Sequence, residues 1–166
     1  MDTATATTGP TATTIPTAAR RTAAHAAAAW GVAFSLVHVY WLLGGRTGLP
    51  EGRTIWGNTP LLVIDVLAIP GCAVAAALAL ALVRPWGARV PRRLLTVGLR
   101  GTAVLLLAHS TPSVPDWLAL AAGSRTADDL DAMARFATFL YEPFFLAGGV
   151  LFTLAALAHR THRTRR

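Results

Sequence analysis

The chain has 166 residues, of which 54% are hydrophobic and only 14% are charged. A soluble domain carries about 25% charged residues, so this composition excludes an ordinary water-soluble globular protein and favours an integral membrane protein. The 15 basic residues are all arginine and give a formal net charge of +7. Because they flank apolar segments and do not form one folded surface, no nucleic-acid partner is predicted.

Four segments are apolar and long enough to cross a bilayer. They lie near residues 22–44, 60–83, 93–110 and 134–158, and each is close to the ~20 residues that cross ~30 Å of hydrocarbon. Since lipid offers no hydrogen-bond partners to the backbone, these segments must be helical. The predicted fold is therefore an all-α, four-helix transmembrane bundle, with residues 22–159 as the membrane domain.

The segments outside that domain predict two tails. Residues 1–21 are rich in Thr, Ala and Pro without periodicity, which predicts a disordered tail, and residues 160–166 form a short basic tail. Ten arginines flank the span ends on the side of the two termini, and only four lie in the other two loops. By the positive-inside rule both termini are cytoplasmic. The lysine-free composition is typical of a high-GC bacterium, so the bacterial cytoplasmic membrane is the expected location, and anionic membrane lipids are expected partners of the arginines.

Local signals predict where the helices begin and end. Gly44 and the glycine after it end the first helix, and Thr59 with Pro60 begins the second, with Thr59 as the N-cap. Residues 113–123 predict a short helix in the outer interface between the third and fourth spans. Thr126, followed by acidic residues, is predicted to begin the fourth helix.

Several spans carry ionisable residues where lipid tails should lie. Each such group costs about 2.5–3.5 kcal/mol in hydrocarbon, so each needs a reason. Under the predicted topology most of them fall in the outer half of the membrane, and the one arginine near the midplane can extend a turn outward. We therefore predict one polar cluster that opens outward and is formed by His38, Trp41, Asp65, Arg100, His109 and Glu142.

The charges in this cluster do not balance. Two carboxylates against one arginine leave one acid that must be protonated, paired with an imidazolium or bound to a cation. Three functions stay open: a site that handles a small ligand, a lipid or a proton; a structural network in an accessory protein, which fixes the helix register; and a membrane enzyme acting on a lipid or isoprenoid by acid–base chemistry of Glu142, Asp65 and His38. A transporter with only four helices would need to form a homodimer.

Neither a metal nor a cofactor is predicted. Two histidines and two carboxylates are ligand types for zinc or iron, but no two of them have helical ligand spacing, and Arg100 would repel a cation. The chain also contains no Walker loop, dinucleotide fingerprint, HExxH or nucleophile elbow.

The end of the first span carries a motif, H-x-Y-W-x-x-GG, formed by His38, Tyr40, Trp41, Gly44 and Gly45. With NTPLLVIDVLAIP and FLYEPFFLAGGVLF, this motif resembles a family of small bacterial multipass membrane proteins of unknown function. The resemblance covers roughly residues 25–158. It implies a four-helix membrane protein and supplies no catalytic residues.

Overall fold

A computed structural model describes residues 17–49 and 52–161, and within these residues all regular structure is helical. Of the predicted tails, 1–21 and 160–166, residues 1–16 and 162–166 lie outside the described residues. Helix α1 (Thr17–Leu42) begins inside the predicted N-terminal tail, so residues 17–21 are helical. Alanine and arginine are strong helix formers, which explains why the helix extends beyond the apolar run.

Five further helices follow: α2 (Thr59–Ala81), α3 (Arg92–His109), α4 (Val114–Ala121), α5 (Ala132–Phe136) and α6 (Glu142–Thr161). A π-helical turn, Ala137–Tyr141, joins α5 to α6 into one continuous helix. Within residues 17–49 and 52–161, four helical units are long and apolar enough to cross a membrane: Ala18–Leu42, Thr59–Ala81, Arg92–Ala121 and Ala132–His159. The predicted four-helix fold is therefore confirmed. The cytoplasmic placement of the termini and the interfacial position of α4 stay predictions.

The end of α1 and the start of α2 show one prediction confirmed and one wrong. Gly44 has a φ of +95°, a left-handed conformation that favours glycine, and α1 ends two residues before it. The N-cap of α2 is Asn58 and not Thr59. Asn58 has the extended backbone of an N-cap (φ −142°), and its side-chain oxygen accepts a hydrogen bond from the Leu61 amide at 3.1 Å.

The start of the fourth span also differs from the prediction. Thr126 and Asp129 do form a capping box, but it closes only a 3-10 turn. The chain then extends at Leu130, which buries its side chain, and α5 begins at Ala132. Asp131 is the true N-cap, since its carboxylate accepts from the Ala134 amide at 2.8 Å. Burial of one leucine thus separates the two capping motifs.

Helix α1 lies at the centre of the packing. It packs most closely against α2 and also against α6, which in turn packs against α3. The α1–α2 contact uses small residues, because Gly31 lies directly over Cys72 and Ala76. The buried residues of α2 are Asp65 and four alanines, so most of this apolar helix faces outward, as lipid contact requires.

The contact between α1 and α6 is aromatic. Trp30 stacks on Phe144 with ring centroids 4.9 Å apart, and its indole N–H donates to the Phe144 carbonyl at 3.0 Å. Phe34 lies next to Phe144 at 5.2 Å. A glycine at 148 is required, because a Cβ there would lie 2.5 Å from the Trp30 ring. These ring contacts join the α1–α2 pair of helices to the α3–α6 pair.

Candidate functional site

The first site is a buried pair between α1 and α2. His38 Nδ1 and Asp65 Oδ1 lie 2.6 Å apart, and the two side chains are 7% and 1% exposed. Below the pair on α1, the Ser35 hydroxyl donates to the Ile69 carbonyl at 3.1 Å. Gly31, Ser35 and His38 therefore lie along the face of α1 that packs against α2, and the small residues allow the helices close enough for the pair to form.

Each partner of this pair has one polar atom without a hydrogen bond. Nε2 of His38 and Oδ2 of Asp65 are buried and have no partner among the described residues. Buried polar atoms in native proteins are nearly always satisfied, so each exception needs an explanation.

The second site is a chemically similar pair between α3 and α6. His109 Nδ1 lies 3.2 Å from Glu142 Oε2, and the side chains are 51% and 8% exposed. His109 is the last residue of α3, which explains its exposure. This pair thus joins a buried acid to a half-exposed imidazole.

Glu142 directly follows the π-helical turn Ala137–Tyr141. Its amide donates to the carbonyl of Ala137, five residues back, and Pro143 beside it has no amide to donate. Trp117 of α4 donates to the Thr138 carbonyl in this turn at 2.8 Å, and the buried Thr138 hydroxyl has no hydrogen-bond partner in the described part of the chain. π-helical turns occur frequently at functional sites. The hydrogen bond from Trp117 joins α4 to the fourth span at this turn.

Aromatic rings connect the two pairs. The Phe34 ring lies 4.4 Å from the His38 ring and 5.2 Å from the Phe145 ring, measured between centroids. Phe145 in turn stacks on His109 at 3.8 Å. The acids therefore belong to one part of the bundle, but apolar rings separate them. Phe34 was not predicted from the sequence, although its spacing of four residues from His38 places it one helical turn below on the same face.

Trp41 covers the His38–Asp65 pair on the loop side. Its ring meets the His38 ring edge-on at 5.2 Å, and its indole N–H donates to the Thr47 carbonyl at 2.9 Å. From the fourth span, the Tyr141 hydroxyl donates to the Gly48 carbonyl. The expected opening of the cluster to the outside is therefore absent at this pair, because two spans fasten the loop at residues 43–49 across it.

Arg100 does not join the acids. It is exposed, and both carboxylates take an imidazole partner instead. The core-facing residues of α3 are Leu95, Leu99, Ala103 and Leu106, and Arg100 lies beside this stripe. Packing of Leu99 thus turns the guanidinium away from the core. The arrangement seen is thus one imidazole beside each of the two acids, with Arg100 beside neither.

The described residues contain no group of three or more His, Cys, Asp or Glu side chains that could hold a metal ion. Each acid meets a single imidazole, which gives at most two ligands where a zinc site needs three or four.

Among the predicted residues, the structure brings together His38 with Asp65 and Trp41, and His109 with Glu142.

Comparison with known protein families gives a match. The family model described as "Protein of unknown function (DUF3995)" matches residues 31–152, which is most of the chain. The protein belongs to this family, and both imidazole–carboxylate pairs lie within the matched range. No curated protein and no solved structure matches the chain.

Proposed function

We propose that this membrane protein binds and releases protons within its helix bundle, with His38–Asp65 as the principal proton-binding site. The observation that carries the proposal is the choice of partner, since each intramembrane acid is paired with an imidazole and neither with an arginine. Arginine stays charged under all ordinary conditions, so an acid paired with it gains little from a proton. Histidine is the side chain that changes charge near neutral pH.

The charge of each pair explains why a proton would bind. A neutral imidazole beside a carboxylate has a net charge of −1, and one added proton brings the pair to zero. Charge at membrane depth is unfavourable by about 2.5–3.5 kcal/mol on insertion scales, so the neutral pair is the form that the bundle tolerates best. His38–Asp65 is the more deeply buried pair, so this argument applies to it most strongly.

The unpartnered Nε2 of His38 and Oδ2 of Asp65 further support a role in proton exchange. A purely structural network is expected to satisfy its polar atoms, because an unmade hydrogen bond in a buried site costs about 1–3 kcal/mol. When Nδ1 of His38 donates to Asp65, Nε2 carries the lone pair that a transferred proton would occupy. The half-exposed His109 would give the second pair direct contact with the surroundings.

A structural role is the second candidate, and one observation favours it. Each pair joins two helices, α1 to α2 and α3 to α6, so the pairs could serve only to fix the helix register. An enzyme acting on a lipid or isoprenoid is less well supported, because the closed His38–Asp65 pair offers no opening for a substrate.

We further propose that the protein lies in a bacterial cytoplasmic membrane with both termini inside. The support is the distribution of arginines, ten of which flank the span ends on one side. Reporter fusions at the termini and at residues 46 and 125 would test this orientation.

The fluorescence of Trp41 can report the charge of His38, because their rings lie 5.2 Å apart and a protonated imidazole quenches a neighbouring indole. The full chain is placed in lipid nanodiscs and titrated between about pH 5 and pH 8. Subtracting the fluorescence of the Trp41→Phe variant removes the contribution of the other four of the 5 tryptophans. We expect reversible quenching as the pH falls.

The control is His25→Gln, because His25 is an exposed histidine on the same helix. We expect the Trp41 signal to keep its pH dependence in this variant and to lose it in His38→Gln. A Trp41 signal that stays constant with pH in a folded protein would contradict the proposal and favour the structural role.

A further inference from the structure

A second feature lies at the opposite end of the spans from His38 and Asp65. A cleft of about 840 Å³ lies between the first turns of α1, the end of α2 and the first half of α3. Its lining includes five arginines and a histidine: Arg20, Arg84, Arg92, Arg93, Arg100 and His159. Among the residues that the structure describes, no aspartate or glutamate lines it. The helix ends thus bring five of the 15 arginines to one cleft.

The guanidinium groups in this cleft lack carboxylate partners. Within the described part of the chain, none of the five arginines forms an ion pair with a carboxylate. Nε of Arg20 is buried and has no hydrogen-bond partner there. Such a donor, among like charges, is unfavourable unless an anion is bound.

The start of α3 adds to the positive potential of the cleft. The helix begins at Arg92, its N-cap is Pro91 without a side-chain cap, and its first turn contains no acid. Arginines at a helix N-terminus oppose the helix dipole, which favours negative charge there. A bound anion would reverse this penalty and accept hydrogen bonds from the uncapped amides.

We propose that this cleft binds a phosphate group, carried by an anionic phospholipid or by a soluble phosphorylated compound. Arginine matches phosphate because its planar donors form paired hydrogen bonds to two oxygens. Arg100 lies eight residues into α3, about 12 Å along the helix from Arg92, so the cleft continues into the apolar part of the span. A phospholipid could therefore place its headgroup at the helix start and its chains along the exposed side chains of Leu94 and Val97.

Native mass spectrometry of the full chain in detergent tests the proposal, with phosphatidylglycerol and phosphatidylcholine as lipid probes. We expect phosphatidylglycerol to bind more tightly than phosphatidylcholine. Arg20→Gln should weaken that binding roughly tenfold, as expected for loss of a charge-assisted hydrogen bond. Arg93→Gln, at an exposed position, provides a second variant should Arg20→Gln fail to fold.

Arg89→Gln is the matched control, since Arg89 ends the 3-10 turn Pro85–Arg89 just before α3 but does not line the cleft. Its effect should stay within about twofold, because salt screens a charge that does not touch the phosphate. If Arg89→Gln and Arg93→Gln weaken phosphatidylglycerol binding equally, the proposal of a binding site in the cleft is wrong. Only diffuse attraction of the lipid to the surface would then remain.

Competition with inorganic phosphate distinguishes the two sources. Displacement of phosphatidylglycerol by phosphate supports a soluble ligand, whereas retention of the lipid supports a phospholipid. If neither phosphatidylglycerol nor inorganic phosphate binds in preference to phosphatidylcholine, the proposal is wrong. None of these results depends on proton binding by His38 and Asp65.

Discussion

The two imidazole–carboxylate pairs use similar groups in different surroundings. The carboxylates are almost equally buried, at 1% for Asp65 and 8% for Glu142, but the imidazoles differ, at 7% for His38 and 51% for His109. His38 lies within α1 under a fastened loop, whereas His109 ends α3. Exposure of the base, and not of the acid, therefore distinguishes the pairs. We therefore expect protons to exchange with the surroundings more readily at His109. A change of charge should affect the stability of the bundle more strongly at His38.

The same substitution at both histidines tests this difference most directly. His38→Leu leaves Asp65 without a partner, and we expect a loss of about 2.5–3.5 kcal/mol in unfolding free energy. His109→Leu should cost only about 1 kcal/mol, because half-exposed polar contacts between membrane helices contribute less. Reversible unfolding of both variants in mixed micelles measures the two losses. Equal losses would show that exposure of the base does not distinguish the pairs.

The aromatic contact between α1 and α6 can be disturbed without changing either pair. Gly148→Ala places a methyl group 2.5 Å from the Trp30 ring, and overpacking of this kind costs about 1–3 kcal/mol. Gly101→Ala is the control, because nothing lies within 4 Å of its new methyl group. We expect only Gly148→Ala to lower the thermal unfolding temperature and alter the Trp fluorescence. An unchanged protein would mean that the α1–α6 contact does not fix the spacing of the pairs.

Amide substitutions separate stability from proton binding. Asp65→Asn and Glu142→Gln keep the shape and an acceptor oxygen, so each should cost about 1 kcal/mol in unfolding free energy. Only Asp65→Asn should abolish the pH-dependent quenching of Trp41, since it removes the charge next to His38. If Glu142→Gln abolishes the quenching equally, the pairs act as one coupled site.

The smallest effect is expected at Asp129, which stands before the helix that carries Glu142. Hydrogen bonds from the Thr126 backbone and hydroxyl lower the pKa of Asp129. Its ionised form therefore stabilises the turn above the ordinary aspartate range, and this contribution disappears as the pH falls through the lowered pKa. Asp129→Asn should reduce stability slightly near neutral pH and match the wild type in acid. Unfolding curves at both pH values test this, and a loss that persists in acid would contradict it.

Some details of the site were already contained in the sequence. Although one cluster was predicted for Arg100 and His109, the two residues are nine apart and therefore lie about 180° from each other around an ideal helix. The structure places them at different sites. The pairing itself could not be predicted, because two acids, two imidazoles and one guanidinium allow several combinations with equal charge balance. A small rotation of α3 would decide whether Arg100 meets an acid, and local sequence does not fix that rotation.

The sequence by itself determined the class of protein, the four spans and the residues that need an explanation at membrane depth. It could do so because apolarity belongs to each segment separately and lipid forces each apolar segment to become a helix. Only the tertiary structure decided that His38 pairs with Asp65, that His109 pairs with Glu142 and that five arginines line one cleft. Those contacts depend on how each helix is turned about its axis. This rotation is set by packing between distant segments. Gly31 of α1 packs against α2, Trp30 packs against Gly148, and Leu99 is buried in the core.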